Sequence, residues 1–246
     1  MPQVIYGIHA VEEAVRARAR SLDYVGVARE RCNDSRILRL LEAARSNGVS
    51  VRTLDREQVS KLAHNDLHQG VVAVGGRFGY ADVSELLAHR RGEHGLLLVL
   101  DGIEDPHNLG AIIRTADAAG ADGVVVPERR AAGITGTVAK ASAGASEHVP
   151  IARVTNVART LEELKQNNVW TVGLDERATQ SYDEVDYRMD CALVLGAEGR
   201  GLHDLVRRKC DFLVSIPMHG HVPSLNVSVA AAVVMYEAAR QRRTRK

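Results

Sequence analysis

The chain has 246 residues, of which 45% are hydrophobic and 26% are charged, as is typical of a globular protein with a sizeable core. Its net charge of +1 gives no global electrostatic argument for binding nucleic acid. The three cysteines lack CxxC spacing, which argues against a zinc site or a disulfide framework and favours a reducing compartment. No apolar run reaches the roughly 18 residues of a membrane-spanning helix, and acidic residues at 12 and 13 interrupt any signal-peptide core, so we expect a cytoplasmic protein.

The first part of the chain alternates predicted helices and strands. In chain order these are a helix over 7–19, a strand over 24–28, a helix begun by Asp34 and ending near Gly48, a strand over 49–54, a short helix begun by Asp55, and a strand over 71–74. They predict a small α/β domain over residues 1–76. The more polar stretch 77–94 is predicted to be a linker with one short helix over 83–88.

The second part predicts a larger α/β domain over 95–246. Its elements are a strand over 95–100, a helix capped by Asn108, a strand over 123–127, a small-residue helix over 138–144, a strand over 149–154, a helix capped by Thr155, strands over 169–174, 191–195 and 212–216, and a helix over 225–239. Apolar strands alternating with helices indicate a mostly parallel sheet covered on both faces. Ligands of such sheets bind in loops beyond the carboxyl ends of the strands, so functional residues are expected there.

The last helix and the turn before it form the segment IPMHGHVPSLNVSVAAAVVMY (216–236). Ser224 and Asn226 lie at the head of a helix that carries no charge until Glu237. Because this helix is small and apolar nearly all round, it is predicted to be buried against close neighbours. From the residues alone, Ser224 and Asn226 are either helix-capping residues or members of a site.

A second polar loop follows the first strand of the larger domain. Within LDGIEDPHNLGAIIRTADAAGADGVVVP (100–127), several acidic residues, His107 and Asn108 crowd one strand-to-helix turn. Arg114 lies about two helical turns further on, in a helix that is otherwise apolar. Asn108 is open to the same two interpretations, as a helix cap or as part of a site.

The third loop is rich in glycine. LVLGAEGRGL (193–202) has its glycines in the order GxxGxG, whereas a dinucleotide-binding fold has GxGxxG, and no GK[ST] follows. Glu198 within the loop would repel a phosphate. A Rossmann-type dehydrogenase is therefore a distant alternative, and the glycines indicate close approach of the backbone to some other ligand.

Together the three loops resemble the three motifs of the SpoU/TrmH branch of the SPOUT methyltransferases, which use S-adenosylmethionine to methylate ribose 2′-hydroxyls in RNA. NLGAIIRTA is similar to the first motif, LVLGAEGRGL to the second and IPMHGHVPSLNVSVAAAVVMYEA to the third, in the family's order. The opening YGIHAVEEAV and the stretch HQGVVAV (68–74) resemble the amino-terminal, ribosomal-protein-like RNA-binding module of one subgroup. That subgroup methylates a guanosine in the peptidyl-transferase loop of bacterial 23S ribosomal RNA.

The resemblance implies a deep trefoil knot in the carboxyl-terminal part, about 193–240, with the cofactor bound in the knot. It implies that backbone groups of Gly196, Ile216 and Leu225 hold S-adenosylmethionine, with Leu195 and Met218 as neighbours. For Ile216, Leu225 and Met218, core packing is the alternative interpretation. The resemblance also implies a homodimer formed through the carboxyl-terminal domain, with both subunits shaping the site, and requires no metal.

The resemblance further implies a catalytic group, which consists of Asn108, Arg114, Glu198, Ser224 and Asn226. In the family, Arg114 is the residue proposed to activate the 2′-hydroxyl. Because the pKa of a guanidinium lies above about 12, it is a poor base near neutrality. We therefore interpret Arg114 as orienting the adjacent phosphate and stabilising the developing alkoxide. Glu198 is expected to orient Arg114 or the loop, the alternative being a surface salt bridge.

Contacts with RNA are expected from the amino-terminal domain, with Arg29, Arg31 and Arg36 as candidates. The basic tail over 240–246 is either solvated or in contact with phosphates. Alternative bases are His107, His219 and His221. Alternative functions are the same reaction on tRNA or on another ribosomal nucleotide, and a catalytically silent RNA-binding scaffold.

Overall fold

The computed structural model describes residues 2–89 and 91–243. The chain forms two compact units, unit 1 from Met1–Gly79 with Gly133–His148, and unit 2 from Tyr80–Ala132 with Val149–Lys246. The elements up to residue 88 are β1 (Gln3–Tyr6), α1 (Ile8–Arg18), β2 (Leu22–Ala28), α2 (Ser35–Ser46), β3 (Ser50–Leu54), α3 (Arg56–Ala63), β4 (Val71–Gly75) and α4 (Val83–Ala88). The later elements are β5 (Leu96–Asp101), α5 (Pro106–Ala119), β6 (Gly123–Pro127), α6 (Gly136–Ala141), β7 (Ile151–Val154), α7 (Val157–Gln166), β8 (Trp170–Leu174), β9 (Gln180–Ser181), β10 (Cys191–Gly196), α8 (Asp204–Lys209), β11 (Phe212–Ser215) and α9 (Val227–Arg242).

Unit 1 is built on a four-stranded sheet in the order β1-β4-β2-β3. β2 and β3 are parallel, and the other two pairs are antiparallel. Helices α1 and α2 bury one face, where Val25 and Val27 share a hydrophobic core with Ile37 and Leu40. The other face packs against α3 through Val59. The first strand was not predicted, because its four residues are too few to show a period and only pairing with β4 identifies it.

The stretch HQG has a structural role in unit 1. The buried imidazole of His68 accepts a hydrogen bond from Gly70 N at Nδ1 (2.9 Å), and its Nε2 bonds to Ser60 Oγ at 2.9 Å. Burial lowers the pKa of His68, which favours the neutral form that can accept from Gly70. Gln69 in turn accepts from Ile8 N at the start of α1 (3.0 Å). The segment therefore fixes the turn into β4 and closes the amino-terminal end of α1.

Unit 1 also contains the segment Gly133–His148, which lies between β6 and β7 in the sequence. Tyr6 bonds to Thr137 of α6 at 3.0 Å, and Arg18 pairs with the buried carboxylate of Glu147 at 2.7 Å. A side chain at Gly136 would lie 2.4 Å from the backbone oxygen of Val4, so α6 approaches β1 closely. The sequence placed this small-residue helix in the larger domain because of its position in the chain, and only its contacts reveal that it completes unit 1.

Unit 2 contains a seven-stranded sheet in the order β7-β6-β5-β10-β8-β11-β9, in which all the paired strands are parallel. The prediction of an α/β fold with a mostly parallel sheet is confirmed. β5 and β10 are neighbours at its centre and fully buried, with Gly196 beside Asp101 where both strands end. In the stretch predicted as a linker, Leu86 of α4 is buried in the core of unit 2. Helix α8 was not predicted, since only Val206 of its six residues is buried.

Two predicted helix caps are wrong. Asp105 caps α5, accepting from the backbone N–H groups of His107 (3.3 Å) and Asn108 (3.0 Å), so that Asn108 is the third residue of the helix. Pro106 occupies the first helical position, where its missing N–H costs nothing. Asn156, the neighbour of the predicted Thr155, caps α7 by accepting from Arg159 N at 3.1 Å. The cap of α2 by Asp34 is confirmed.

Helix α9 packs on α5 and β10 along one side only. Its buried residues include Ala231, Val234 and Met235, whereas Val229 is 48% exposed and Tyr236 is 54% exposed. The predicted burial all round is therefore wrong for a single chain. Composition cannot distinguish a helix enclosed by its own chain from one whose second apolar side is left to a partner.

Arg242, in the last turn of α9, anchors that helix to the rest of unit 2. Its guanidinium donates to four backbone carbonyl oxygens at 2.7–3.0 Å, those of His94, Gly95, Tyr187 and Met189. These carbonyls lie at or just before the starts of β5 and β10. The single side chain therefore joins the end of α9 to two central strands.

Arg242→Ala is expected to lower the free energy of unfolding by about 2–4 kcal/mol, because several carbonyl groups lose a charged donor. Urea titration followed by circular dichroism measures the change. The matched control is Arg240→Ala on the same helix. Arg240 is exposed, and among the residues that the structure describes it pairs with Glu237 alone, so its loss should change stability by less than about 1 kcal/mol. Equal effects of the two substitutions would contradict the anchoring role.

Within residues 2–89 and 91–243, no helix combines the length and apolar character required to cross a membrane.

Candidate active site at the ends of strands β5 and β10

The functional loops of unit 2 meet at one edge of its sheet. β5, β10, β8 and β11 are parallel and adjacent, so the loops that leave their carboxyl ends are brought together. The loop after β5 leads into α5, and the loop after β10 contains the glycines. The loop after β11 leads into α9. The three segments singled out in the sequence are therefore neighbours in space.

The glycine loop (196–203) folds back tightly on itself. Gly201 N donates to Ala197 O at 2.8 Å, and a side chain at Gly196 would lie 2.0 Å from the backbone of Gly201. Gly199 and Gly201 have φ values of 73° and 70°, a region that favours glycine. Glycine at 196 is therefore required by the packing of the loop on itself, and Glu198 lies near the tip of the loop.

Asp101, at the end of β5, holds the far end of the glycine loop. Its buried Oδ2 accepts from His203 N at 2.8 Å and bonds to His203 Nδ1 at 3.0 Å. The other ring nitrogen of His203 bonds to Arg200 at 3.1 Å. Asp101 was noted only as one of the acidic residues that crowd its turn, and His203 was not predicted. The signal for Asp101 was a carboxylate at the end of a strand that is otherwise apolar.

Asn226 joins the three loops through its side chain. Its Nδ2 donates to Asn108 Oδ1 at 2.9 Å and to Glu198 Oε1 at 2.6 Å. Its Oδ1 accepts from the backbone N of Ser228 at 2.9 Å, which caps α9 and orients the amide. Asn226 is therefore a cap and a cluster member together. We call Asn108, Glu198 and Asn226 the amide–carboxylate cluster.

Two cavities flank the amide–carboxylate cluster. The first cavity, of about 600 Å³, has a lining that includes Leu195, Gly196, Glu198, Ser224, Leu225 and Asn226. A smaller side cavity of about 130 Å³ shares Ser224 and Leu225 with it and adds Ile216 and Met218. The second cavity, of about 370 Å³, is lined by Gly102, Ile103, Glu104, Asp105, Asn108, Arg130, Ala197, Glu198, Arg200, His203 and Val227. All the residues predicted to hold the cofactor thus line the first cavity or its side cavity.

The first cavity fits a nucleoside-type cofactor. It falls in the range of about 300–1,000 Å³ that is usual for small-molecule sites, and its lining combines apolar side chains with the glycines of the loop. Its lining includes the carboxylate of Asp175, which accepts from Arg177 and Arg207. Hydrogen bonding from Arg177 lowers the pKa of Asp175 to about 2, so this negative charge is permanent near neutrality.

The remaining predicted catalytic residue, Arg114, is exposed on α5. Within the described parts of the chain, its guanidinium has no hydrogen bond or ion pair. Glu198 is held by Asn226, so a contact that orients Arg114 is not part of this arrangement. Leu225 and Met218 are each 38% exposed, which places neither of them in the core. The roles of these residues stay predictions.

The alternative bases are exposed, and the candidate RNA contacts are exposed or half-buried. His107 lies in the first turn of α5, and His219 and His221 lie in the loop before α9. In unit 1 the three candidate arginines each pair with a carboxylate, Arg29 with Asp55 at 3.4 Å, Arg31 with Asp34 at 2.8 Å and Arg36 with Glu12 at 3.5 Å. No group of metal-binding side chains occurs among the residues that the structure describes. Residues 244–246 of the basic tail lie outside them.

Comparison with known proteins agrees with this arrangement. Residues 95–236 match the model of the SpoU rRNA methylase family, and residues 4–81 match that of the RNA 2′-O ribose methyltransferase substrate-binding domain. YacO of Bacillus subtilis (strain 168), named as a TrmH-family tRNA/rRNA methyltransferase, is 49% identical over 205 residues, 82% of each chain. A Staphylococcus aureus (strain COL) protein named for the same family is 46% identical over 97% of this chain and 96% of its own.

Solved structures show the same likeness. The SpoU methyltransferase AviRb from Streptomyces viridochromogenes, in complex with its cofactor AdoMet, aligns with a TM-score of 0.80 and 27% identity over 97% of this chain and 90% of its own. A structure described as an RNA 2′-O ribose methyltransferase aligns with a TM-score of 0.80 and 30% identity over 97% and 88%.

The fold, the three-loop site and these likenesses define an RNA 2′-O-ribose methyltransferase that depends on S-adenosylmethionine. The chain belongs to the SpoU rRNA methylase family, within which its relatives carry the TrmH name.

Proposed function

We propose that the protein methylates the ribose 2′-hydroxyl of a guanosine in the peptidyl-transferase loop of 23S ribosomal RNA. The observation that carries the chemistry is the amide–carboxylate cluster, which lies between the two cavities. Within it, the side chain of Asn226 bonds to Asn108 and to Glu198, which belong to the other two loops. The match of residues 4–81 to a substrate-binding domain supports a large structured RNA as the substrate. Such a substrate is consistent with a cytoplasmic protein.

The cofactor is proposed to lie in the first cavity and its side cavity. Backbone groups of Gly196, Ile216 and Leu225 would hold it, with Leu195 and Met218 in apolar contact. When bound, S-adenosylmethionine supplies a methyl group on a positively charged sulfur. The presence of Leu195, Gly196 and Leu225 in the lining of the first cavity, and of Ile216 and Met218 in that of its side cavity, supports this assignment.

The catalytic group is proposed to position the ribose and to stabilise its oxygen as the proton leaves. Positioning alone contributes about 7–11 kcal/mol to such reactions. Asn108, Asn226 and Ser224 supply amide and hydroxyl groups for the ribose, and Glu198 fixes the amide of Asn226. Arg114 holds the adjacent phosphate and stabilises the developing alkoxide, while the proton passes to phosphate or water.

The protein is proposed to be a homodimer through unit 2, with a trefoil knot over about 193–240. The exposed apolar side of α9, with Val229 and Tyr236, supports a subunit interface. Six residues separate Asn108 from Arg114, so their side chains point about 120° apart around α5. Arg114 is therefore proposed to serve the site of the partner subunit, where it completes the catalytic group.

Unit 1 is proposed to be a ribosomal-protein-like RNA-binding module. Arg29, Arg31 and Arg36 would exchange their carboxylate partners for phosphates on binding. The exposed pair of Arg29 with Asp55 supports such an exchange, because a surface ion pair stabilises a protein by only about 0–1 kcal/mol.

Mapping of 2′-O-methyl groups on ribosomal RNA from cells with and without the protein tests the proposed target. Loss of one methyl group in the peptidyl-transferase loop is the expected result. An unchanged loop with a lost methyl group on tRNA would assign the reaction to tRNA, which the names of the relatives also include. Absence of cofactor binding by calorimetry would instead indicate a silent RNA-binding scaffold.

A further inference from the structure

We propose that the second cavity of unit 2 receives the target nucleotide, with Arg130 and Arg200 binding the phosphates that flank it. The inference rests on the proposed function, because it names the place where the methyl acceptor of that reaction binds. It assigns ligand-binding roles to two arginines and a positioning role to His203.

The position of the second cavity suits the methyl acceptor. Glu198 lines both cavities, Asn108 lines the second and Asn226 lines the first. A donor in the first cavity and an acceptor in the second therefore approach each other at the amide–carboxylate cluster. The volume of about 370 Å³ is within the range of small-ligand sites. The second cavity is thus of a size for one nucleotide rather than for a duplex.

The cations of the second cavity suit phosphate. Arg130 and Arg200 are both exposed and both line it. A guanidinium presents a planar fork of donors that matches phosphate oxygens in pairs. Within residues 2–89 and 91–243, Arg130 makes no ion pair or side-chain hydrogen bond. Its donors therefore remain to be satisfied by water or by a ligand.

Arg200 is oriented by a chain of hydrogen bonds that begins at the buried carboxylate of Asp101. A guanidinium only donates, so the imidazole nitrogen that faces Arg200 accepts, and the ring proton lies on Nδ1, toward Asp101. Nε2 of His203 is then the acceptor for one N–H of Arg200, at 3.1 Å. Four of the five guanidinium N–H groups remain for a ligand. Asp101 and His203 thus position Arg200 without touching the nucleotide.

The carboxylates of the second cavity are for the most part already bonded. Asp105 accepts from two backbone N–H groups of α5, and Glu198 accepts from Asn226. Glu104 is the exposed carboxylate that remains. Because three carboxylates share this lining with the two guanidinium groups, the phosphates are proposed to lie at Arg130 and Arg200, away from Glu198, while Asp105 and Glu198 keep their hydrogen bonds to protein donors.

Arg130→Ala and Arg200→Ala test the proposal, with an in vitro transcript of the peptidyl-transferase loop as the RNA. The KM for RNA is expected to rise about tenfold in each variant, since each loses a charge-assisted contact. The slope of log affinity against log salt concentration should fall by about 0.7 for each phosphate contact removed. Lysine at either position should restore the slope, because the charge is kept. Cofactor affinity by calorimetry should not change.

The matched control is Arg208→Ala, which removes an exposed arginine of α8 outside the lining of the second cavity. It is expected to alter neither KM nor salt slope. If Arg130→Ala and Arg200→Ala behave like this control while the wild-type protein methylates the transcript, the subsite is wrong and the proposed function stands. If the wild-type protein binds the transcript without methylating it, the proposed target is wrong, and the salt slopes of the variants still decide the subsite.

His203→Phe tests the positioning chain separately. The variant keeps a planar ring but offers no acceptor to Arg200. It is expected to raise KM about threefold with kcat and salt slope unchanged, because Arg200 loses the acceptor that orients it while both arginines of the lining are kept, and Asp101 still accepts from the backbone N of residue 203. A fall in kcat at unchanged KM would instead point to proton transfer by His203 and would overturn the positioning role.

Discussion

Arg114→Ala is expected to slow methyl transfer about 10²–10³-fold under single-turnover conditions, because a fixed charge near the developing alkoxide is lost. The side chain is exposed and bonds to no other described residue, so thermal stability and cofactor affinity should not change. Arg114→Lys keeps the charge and is expected to retain part of the rate. Quench-flow assays with labelled cofactor and the loop transcript measure both variants.

The control for Arg114 is Arg159→Ala, which removes an exposed arginine from α7 and should leave the rate unchanged. Should lysine at 114 prove as inactive as alanine, with cofactor binding intact, charge alone does not explain the residue. The guanidinium geometry itself would then be required.

Asn226→Asp is expected to lower the rate of methyl transfer about 10²-fold while leaving the protein folded. The substitution keeps an oxygen that can cap α9 but replaces the amide donor by a carboxylate beside Glu198 and Asn108. Like charges at this separation repel, so the cluster should open. Single-turnover methylation and thermal melting together separate the loss of the cluster from loss of the cap.

Asn156→Asp is the matched control, because Asn156 caps α7 through its oxygen and its amide donates to no described side chain. Aspartate is as good a cap as asparagine, so neither stability nor rate should change. A rate loss in this control comparable to that of Asn226→Asp would show that the effect comes from charge at helix ends and not from the cluster.

Mixed dimers of Arg114→Ala and Asn226→Asp chains test whether one site draws residues from both subunits. In a two-fold dimer, random exchange of two inactive chains gives about a quarter of all sites with both residues intact if they come from different subunits. Activity is then expected to recover to about that fraction after unfolding and refolding the mixture. No recovery, with exchange verified by mass spectrometry, would place Arg114 in the site of its own chain.

Periodicity predicted most elements of the fold because long buried strands and amphipathic helices carry strong local signals. The strand over 123–127 was predicted to the residue. Short elements such as β1 and α8 depend on tertiary pairing and were missed. The caps of α5 and α7 were each misplaced, since several capping residues crowd both turns and sequence does not show which side chain is turned to the helix.

The residues of the candidate site that were assigned from the family motifs could be predicted from the sequence, and the other residues of the site could not. Asn108, Glu198 and Asn226 came from the resemblance, and the structure brings them within hydrogen-bonding distance. Asp101 and His203 are 102 positions apart, and no pattern links them before β5 and β10 are known to be neighbours. The exposed apolar side of α9 was not predicted, because composition alone does not show which side of an apolar helix is covered by its own chain.

Unit 1 has a consequence for the order of events during synthesis. Its first piece ends at Gly79, but its last piece, Gly133–His148, leaves the ribosome only after β5 and β6 have been made. At about 5–20 residues per second, that interval lasts roughly 3–14 s. Until then the surface of β1 on which α6 packs is uncovered, and Arg18 lacks its ion-pair partner, the carboxylate of Glu147. A nascent chain stalled before residue 148 should therefore be more sensitive to protease in unit 1 than the finished protein.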